Sequence, residues 1–162
     1  MDRKWPIIAL TGTSGAGKTN IKSIFDEILR EQKIKAVYIE GDSFHKYTRD
    51  EMEELDRTNG QITHFSPKSN HLDLLENLFK QFSISGKGLV RQYAHSKKDS
   101  EILGIGVGCF SDWEELEPVY DILFYEGLHG GFEDNNINIT KYVDLLIGIT
   151  PIHQVLQLQA IQ

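Results

Sequence analysis

The sequence predicts an α/β fold, a three-layer sandwich built on a mainly parallel β-sheet. An apolar, strand-like run is followed by a helix-period segment and then by a second strand. Two later apolar runs are continuous rather than alternating, as suits strands covered on both faces.

Residues 6–11 read as a buried strand ending at Gly12. From Lys18 to about Gln32, Ile21, Ile24, Phe25, Ile28 and Leu29 recur at three-and-four spacing, the mark of an amphipathic helix. Residues 36–40 (AVYIE) form a second strand, closed by Gly41 and Asp42. Strand, helix and strand in that order make a βαβ unit, which requires parallel strands and a right-handed crossover. Residues 49–56 suit a short polar helix, and residues 71–82 a longer one with Leu72, Leu75, Leu78, Phe79 and Phe82 on one side. Asn59-Gly60 and Ser66-Pro67 are turn signals between them. Residues 89–93 suit a strand, and 104–108 a loop, with three glycines in five residues. Residues 121–126 (DILFYE) and 142–149 (YVDLLIGI) are the two continuous apolar strands.

The 162 residues fit one domain, and no repeat or linker divides them. A formal net charge of −7 argues against broad binding to nucleic acid or anionic membranes, so an anionic ligand needs a local pocket of positive charge. The single cysteine, Cys109, excludes an internal disulfide and suits a reducing compartment, most simply as a small buried apolar residue. The apolar run after Pro6 is far below the ~18 residues of a membrane span, and no signal-peptide pattern precedes it. A cytoplasmic protein is the expectation.

Gly12-Thr13-Ser14-Gly15-Ala16-Gly17-Lys18-Thr19 matches G-x-x-x-x-G-K-[ST] in full. The glycines let backbone N–H groups close on a phosphate, and the following helix aims its positive end at the same anion. Lys18 would reach the β- and γ-phosphates of ATP, and the Thr19 hydroxyl would bind Mg²⁺. The pattern also arises at ordinary Gly-rich turns. Here it lies between a predicted strand and a predicted helix, the context that gives it meaning. The fold class is thereby narrowed to a P-loop NTPase-like sandwich.

Asp42 follows the second strand, at the sheet end where the loop lies. On spacing alone two roles stay open: a base that takes the proton of an attacking hydroxyl, or a cap on a turn. His45 and Arg49 are four residues apart and share a face if the segment is helical, where they would grip an anionic substrate. Taken alone, an Arg on a polar helix is commonly solvated. Glu126 ends an apolar strand, either as a solvated acid or as a Mg²⁺ ligand. The Gly127-Leu128-His129-Gly130-Gly131 run after it favours the second, since such flexible backbone can approach a ligand. His64, His71, His129 and His153 show no metal-ligand spacing with nearby Cys or acids.

Residues 7–19 (IIALTGTSGAGKT), 38–45 (YIEGDSFH), 91–95 (RQYAH), 123–131 (LFYEGLHGG) and 142–151 (YVDLLIGITP), in this order, resemble the bacterial-type phosphoribulokinases of the phosphoribulokinase/uridine kinase family. The resemblance runs in register from about Trp5 to Pro151. It implies an ATP-dependent kinase that converts D-ribulose 5-phosphate to D-ribulose 1,5-bisphosphate, the carbon dioxide acceptor of the Calvin cycle. By that resemblance Asp42 is the base for the C1 hydroxyl and Lys18 its catalytic partner at the phosphates. Glu126 matches the acid of the Mg–ATP site, and His45, Arg49 and His95 match sugar-phosphate contacts, with Tyr93 beside them. Cys109 lacks the partner that a thiol switch needs. A family arginine near the end of the first helix falls at Glu31, so NADH control is not carried over.

After Pro151 the family continues with a helix and a Lys/Arg-bearing lid, whereas residues 152–162 (IHQVLQLQAIQ) match that helix poorly. The expectation is one kinase domain over residues 1–162, C-terminally incomplete relative to the family and a homo-oligomer if full length. Two alternatives stand beside the kinase: a nucleotide-binding module with impaired turnover, and a uridine or other nucleoside kinase sharing the loop and the acid.

Overall fold

A computed structural model describes residues 5–59 and 62–150. Four parallel strands form the main sheet in the order β2-β5-β1-β6: β1 is Ile7–Gly12, β2 Ala36–Glu40, β5 Ile122–Gly127 and β6 Leu145–Ile149. The predicted α/β sandwich is present. β1 and β2 are parallel as expected but not neighbours, because β5 lies between them in register with both.

Alternate residues of each strand point to opposite faces, and each face has its own core. On one face Ile7, Ala9, Val37, Ile39, Leu123 and Tyr125 pack with α3, the helix Leu72–Ser85. Its residues Leu72, Leu75, Leu78, Phe79 and Phe82 are all buried, as their spacing predicted. On the other face Ile8, Leu10, Ile122 and Phe124 meet α1, the helix Lys18–Glu31. Only the i, i+4 row Ile21, Phe25 and Leu29 packs there. Ile24 and Ile28, read as part of the buried face, are about half exposed.

The β1 and β5 runs are buried because both faces are covered. β6 departs from that expectation. Among the described residues it pairs with β1 alone, and Leu145 and Leu146 remain 45% exposed because the described helices do not cover this edge of the sheet. Of its predicted first residues, Tyr142 ends a 3-10 turn, Thr140–Tyr142, and Val143 and Asp144 precede the strand.

The central region is more segmented than the sequence suggested. α2 spans Arg49–Asn59, and a 3-10 turn covers Pro67–Ser69. The strand expected at 89–93 shrinks to β3, Leu89–Val90, paired antiparallel with β4, Glu114–Glu115, and an isolated bridge joins Tyr93 to Phe110. Between these lies α4, Lys97–Leu103, which the sequence reading did not anticipate. A reciprocal capping box between Ser96 and Asp99 starts it, and Gly104 in a left-handed conformation ends it. Cys109 is half-buried rather than buried. No described helix is long and apolar enough to cross a membrane. The expectation for residues 152–162 and the Gly60 part of the turn signal lie outside the described residues.

Candidate functional site

At the carboxyl ends of β1, β2 and β5 the chain leaves the sheet in three loops, and the crevice between them is the usual ligand seat of a parallel sheet. It forms a cleft of about 690 Å³. Gly12, Ser14, Gly15, Gly17, Lys18 and Thr19 line one side. Asp42, His45, Arg49, His95 and Glu126 line the rest, so residues far apart in sequence share one cavity.

The loop after β1 has the geometry its motif demands. Gly15 and Gly17 adopt φ of 75° and 92°, where a side chain would be strained. Thr13 and Ala16 shape the turn through their backbones, Ala16 N–H donating to the Thr13 carbonyl at 3.2 Å. α1 then begins without a side-chain cap and without an acid in its first turn. Its first amides and the positive end of its dipole therefore suit an anion. The Lys18 ammonium folds over the loop, donating to the carbonyls of Gly12 at 2.9 Å and Thr13 at 2.8 Å. A phosphate seated there would offer it a charged acceptor in place of neutral ones.

Asp42 sits in a 3-10 turn, Gly41–Phe44, directly after β2. His45 closes that turn, and its Nε2 lies 3.1 Å from the Asp42 carboxylate. The carboxylate can only accept, so Nε2 carries the proton and Nδ1 is a lone pair. That Nδ1 is buried with no hydrogen-bond partner among the described residues, as is Nδ1 of His64, whose ring packs edge-on at 4.8 Å. Burial, against the opposing pull of Asp42, pushes the His45 imidazole down to about 4, with the neighbouring His64, His129 and Arg91 adding to it. His45 is therefore neutral at neutral pH.

The shared helical face expected for His45 and Arg49 does not exist. His45 precedes α2, which starts at Arg49. The two meet in the cleft because the chain folds back, with Phe44 O accepting from His71 N–H at 2.8 Å and Lys46 N–H donating to Ser69 O at 2.8 Å. Arg49 reaches across to the His95 carbonyl at 3.3 Å. His95 Nε2 lies 3.3 Å from the Glu40 carboxylate, and this bond, ahead of opposing burial, raises His95 and lowers Glu40 from their usual values. Tyr93 packs edge-on against His95 at 4.7 Å and lines the same cleft.

Glu126 is the register partner of Glu40 across β2 and β5. Two acids side by side repel, and Lys22 answers both, with Nζ 3.4 Å from Glu40 and 3.9 Å from Glu126. Close approach of the strand ends depends on paired glycines: a Cβ on Gly127 would lie 2.9 Å from Gly41 Cα and 2.3 Å from the Tyr125 hydroxyl. Gly127 thus serves packing rather than the flexibility expected of its run.

Lys22 and Glu40 were not singled out from the sequence, and His64 and His129 were weighed there only as metal ligands. Lys22 had a signal, lying one helical turn beyond Lys18. His64 and His129 had none, because it is the fold that brings them beside His45, where His129 Nε2 lies 3.2 Å from the Phe65 carbonyl.

The model of the phosphoribulokinase/uridine kinase family matches residues 7–162. The chain belongs to that family. It is 44% identical over 157 residues to a phosphoribulokinase of Nitrobacter vulgaris, covering 94% of this chain and 54% of the relative. Identity is 41% over 157 residues to phosphoribulokinase 1 of Cereibacter sphaeroides, with the same coverage. The solved structure of the phosphoribulokinase from Rhodobacter spheroides superimposes with a TM-score of 0.82 at 37% identity, over 99% of this chain and 56% of that one. A possible uridine kinase from Bacillus stearothermophilus shares the fold, with a TM-score of 0.60 at 17% identity over 95% of this chain and 76% of that one. The chain spans about half the length of the curated relatives it matches. The cleft of this chain joins the Gly12–Thr19 loop to the Asp42 carboxylate, four histidines and Arg49.

Proposed function

We propose that this chain carries the nucleotide site and much of the sugar-phosphate site of a phosphoribulokinase, transferring the γ-phosphate of ATP to D-ribulose 5-phosphate. The observation that carries the reading is the Asp42 carboxylate, half exposed in the same cleft as the phosphate-binding loop and held by His45. Relatives named phosphoribulokinase, at about 44% identity across nearly the whole chain, support this substrate over a nucleoside, because the possible uridine kinase shares only the fold.

Backbone amides of Gly15 to Thr19 would cradle the phosphates, with Lys18 swinging from its own loop to the β- and γ-oxygens. Asp42 accepts the C1 hydroxyl proton as that oxygen bonds to the γ-phosphorus and the bond to the ADP oxygen breaks. His45 donates to Asp42 through Nε2, leaving the lone pair of its own Nδ1, and the unpartnered Nδ1 of His64, for sugar hydroxyls. Arg49 and His95, cationic or readily so, suit the substrate phosphate. The Thr19 hydroxyl and Glu126 carboxylate are hard oxygen donors that fit Mg²⁺, which keeps several waters and takes other oxygens from phosphates. When bound, that ion neutralises charge on the transferring group. Among the described residues no group of three His, Cys, Asp or Glu side chains could hold a metal unaided.

The test is ADP release with ribulose 5-phosphate, uridine or pantothenate as acceptor, in wild type and Asp42→Asn. Turnover with ribulose 5-phosphate alone is expected, falling about 10²–10⁴-fold in the variant with ATP binding kept. Equal turnover of uridine, or an Asp42→Asn rate above a few per cent of wild type, would count against the reading.

A further inference from the structure

Arg91 lines the cavity that adjoins the cleft, with Ser43, Tyr93 and His95, and has no role in the reaction as derived above. Its guanidinium is half-buried, and burial alone brings it down to about 10. Among the described residues no carboxylate pairs with it. A half-buried cation without a counter-charge is costly unless its donors are satisfied. The compensation lies in its contacts. Nε donates to the Ser43 carbonyl at 2.7 Å, and a terminal nitrogen donates to the His45 carbonyl. The plane stacks over Phe110 at 3.8 Å and Trp113 at 4.5 Å. Trp113 in turn meets Phe44 edge-on at 5.5 Å.

These contacts converge on one short segment. Ser43 and His45 flank the end of the turn that carries Asp42, where carbonyls lack partners within the turn itself. Only a planar fork spans two carbonyls spaced this way while stacking on aromatic faces, which a lysine ammonium cannot reproduce. We propose that Arg91 is a positioning residue, whose guanidinium clamps the Ser43 and His45 carbonyls and so fixes the aim of the Asp42 carboxylate and the His45 ring. It touches no reacting atom in this role. The inference rests on the reading of Asp42 as the base of a phosphoryl transfer.

The experiment pairs kinetics with NMR of the His45 imidazole in wild type, Arg91→Gln and Arg91→Lys. Asp42, His64, His129 and Arg91 are the charged or titratable groups acting on that ring. Arg91→Gln is expected to lower kcat at least tenfold with KM for ATP within twofold, and to raise the His45 titration by a unit or more. Arg91→Lys, which keeps the charge without the fork, is expected to lower kcat at least fivefold and to shift the Nε2–H resonance of His45. If Arg91→Gln does not fold, Arg91→Lys decides: wild-type kcat and an unshifted His45 signal in it overturn the proposal. An unmoved His45 signal in a folded Arg91→Gln overturns it too, whether or not the chain turns over. If wild type phosphorylates no sugar-phosphate yet Arg91→Lys, with its charge kept, shifts the His45 signal, the kinase reading fails and the clamp on the turn survives.

Discussion

The Nε2 of His45 lies 3.1 Å from Oδ1 of Asp42, so the proposed base is held by an imidazole that is itself 8% exposed. The His45 value of about 4 lies below the ordinary value near 6.5, so the unfolded chain binds the proton more readily than the folded one. Its contribution to stability is complete above about pH 6.5 and is lost as pH falls towards 4. The loss is on the order of 3 kcal/mol, from a 2.5-unit difference at ~1.36 kcal/mol each. His45→Gln, uncharged and able to donate to Asp42, should flatten the denaturation free energy between pH 4 and 6.5. Identical pH profiles in urea melts of the two proteins would refute this origin.

Lys22 stands between two acids that the β2–β5 register sets side by side. Replacing it by Met leaves Glu40 and Glu126 facing each other. Glu40 is depressed first by its bond to His95 and then, against burial, by Lys22, so its stabilising effect is present above the ordinary carboxylate range and fades in acid. Lys22→Met should cost about 1 kcal/mol at pH 7 and little at pH 3, since the pair is partly solvated. Added Mg²⁺ should then raise the melting temperature more in the variant than in wild type, as a cation replaces the missing ammonium. An equal response to Mg²⁺ in both would show that the acids do not share that charge.

Local chemistry was legible in the sequence and long-range placement was not. The Gly12–Thr19 loop, α1 and α3 were readable because glycine geometry and apolar spacing are decided within a few residues. The insertion of β5 between β1 and β2 was hidden, since strand order depends on crossovers that no local pattern encodes. α4 carried a readable Ser96–Asp99 capping box, but its seven residues hold too few apolar positions to show a period. His45 and Arg49 line one cleft without the shared helix their spacing suggested, and the link is backbone bonding of residues 44 and 46 to 71 and 69. His64 and His129 reach the cleft only by tertiary folding.

Gly127 lets two strand ends touch, and its hydrogen cannot be replaced without cost. A methyl there would stand 2.3 Å from the hydroxyl of Tyr125, a fully buried side chain with no room to swing. Gly127→Ala should destabilise by about 1–3 kcal/mol, as for overpacked cores generally. It should also lower turnover, because Asp42 and Glu126 sit on the two segments it pushes apart. Gly148→Ala is the control, since its added Cβ meets nothing within 4 Å, and it should stay within about 0.5 kcal/mol. Equal melts for the two variants would remove the close-packing argument.

Lys18 now bonds two carbonyls of its own loop, at 2.9 and 2.8 Å, and these must be released for it to reach a phosphate. The exchange favours the phosphate, because its negative charge attracts the ammonium more strongly than a carbonyl dipole does. Mg–ATP at 100 times its Kd should therefore stabilise wild type by about 2.7 kcal/mol. For a domain of this size that corresponds to roughly 5–11 °C in Tm. Lys18→Met keeps the glycine cradle and the uncapped start of α1 but loses the ammonium, so its shift should fall below about a third of the wild-type value at the same ligand concentration. Loss of the fold in Lys18→Met, with Tm lower even without ligand by more than about 4 °C, would instead mark the two carbonyl bonds as structural. An undiminished shift in a stable variant would mean that the triphosphate is held elsewhere than at this loop.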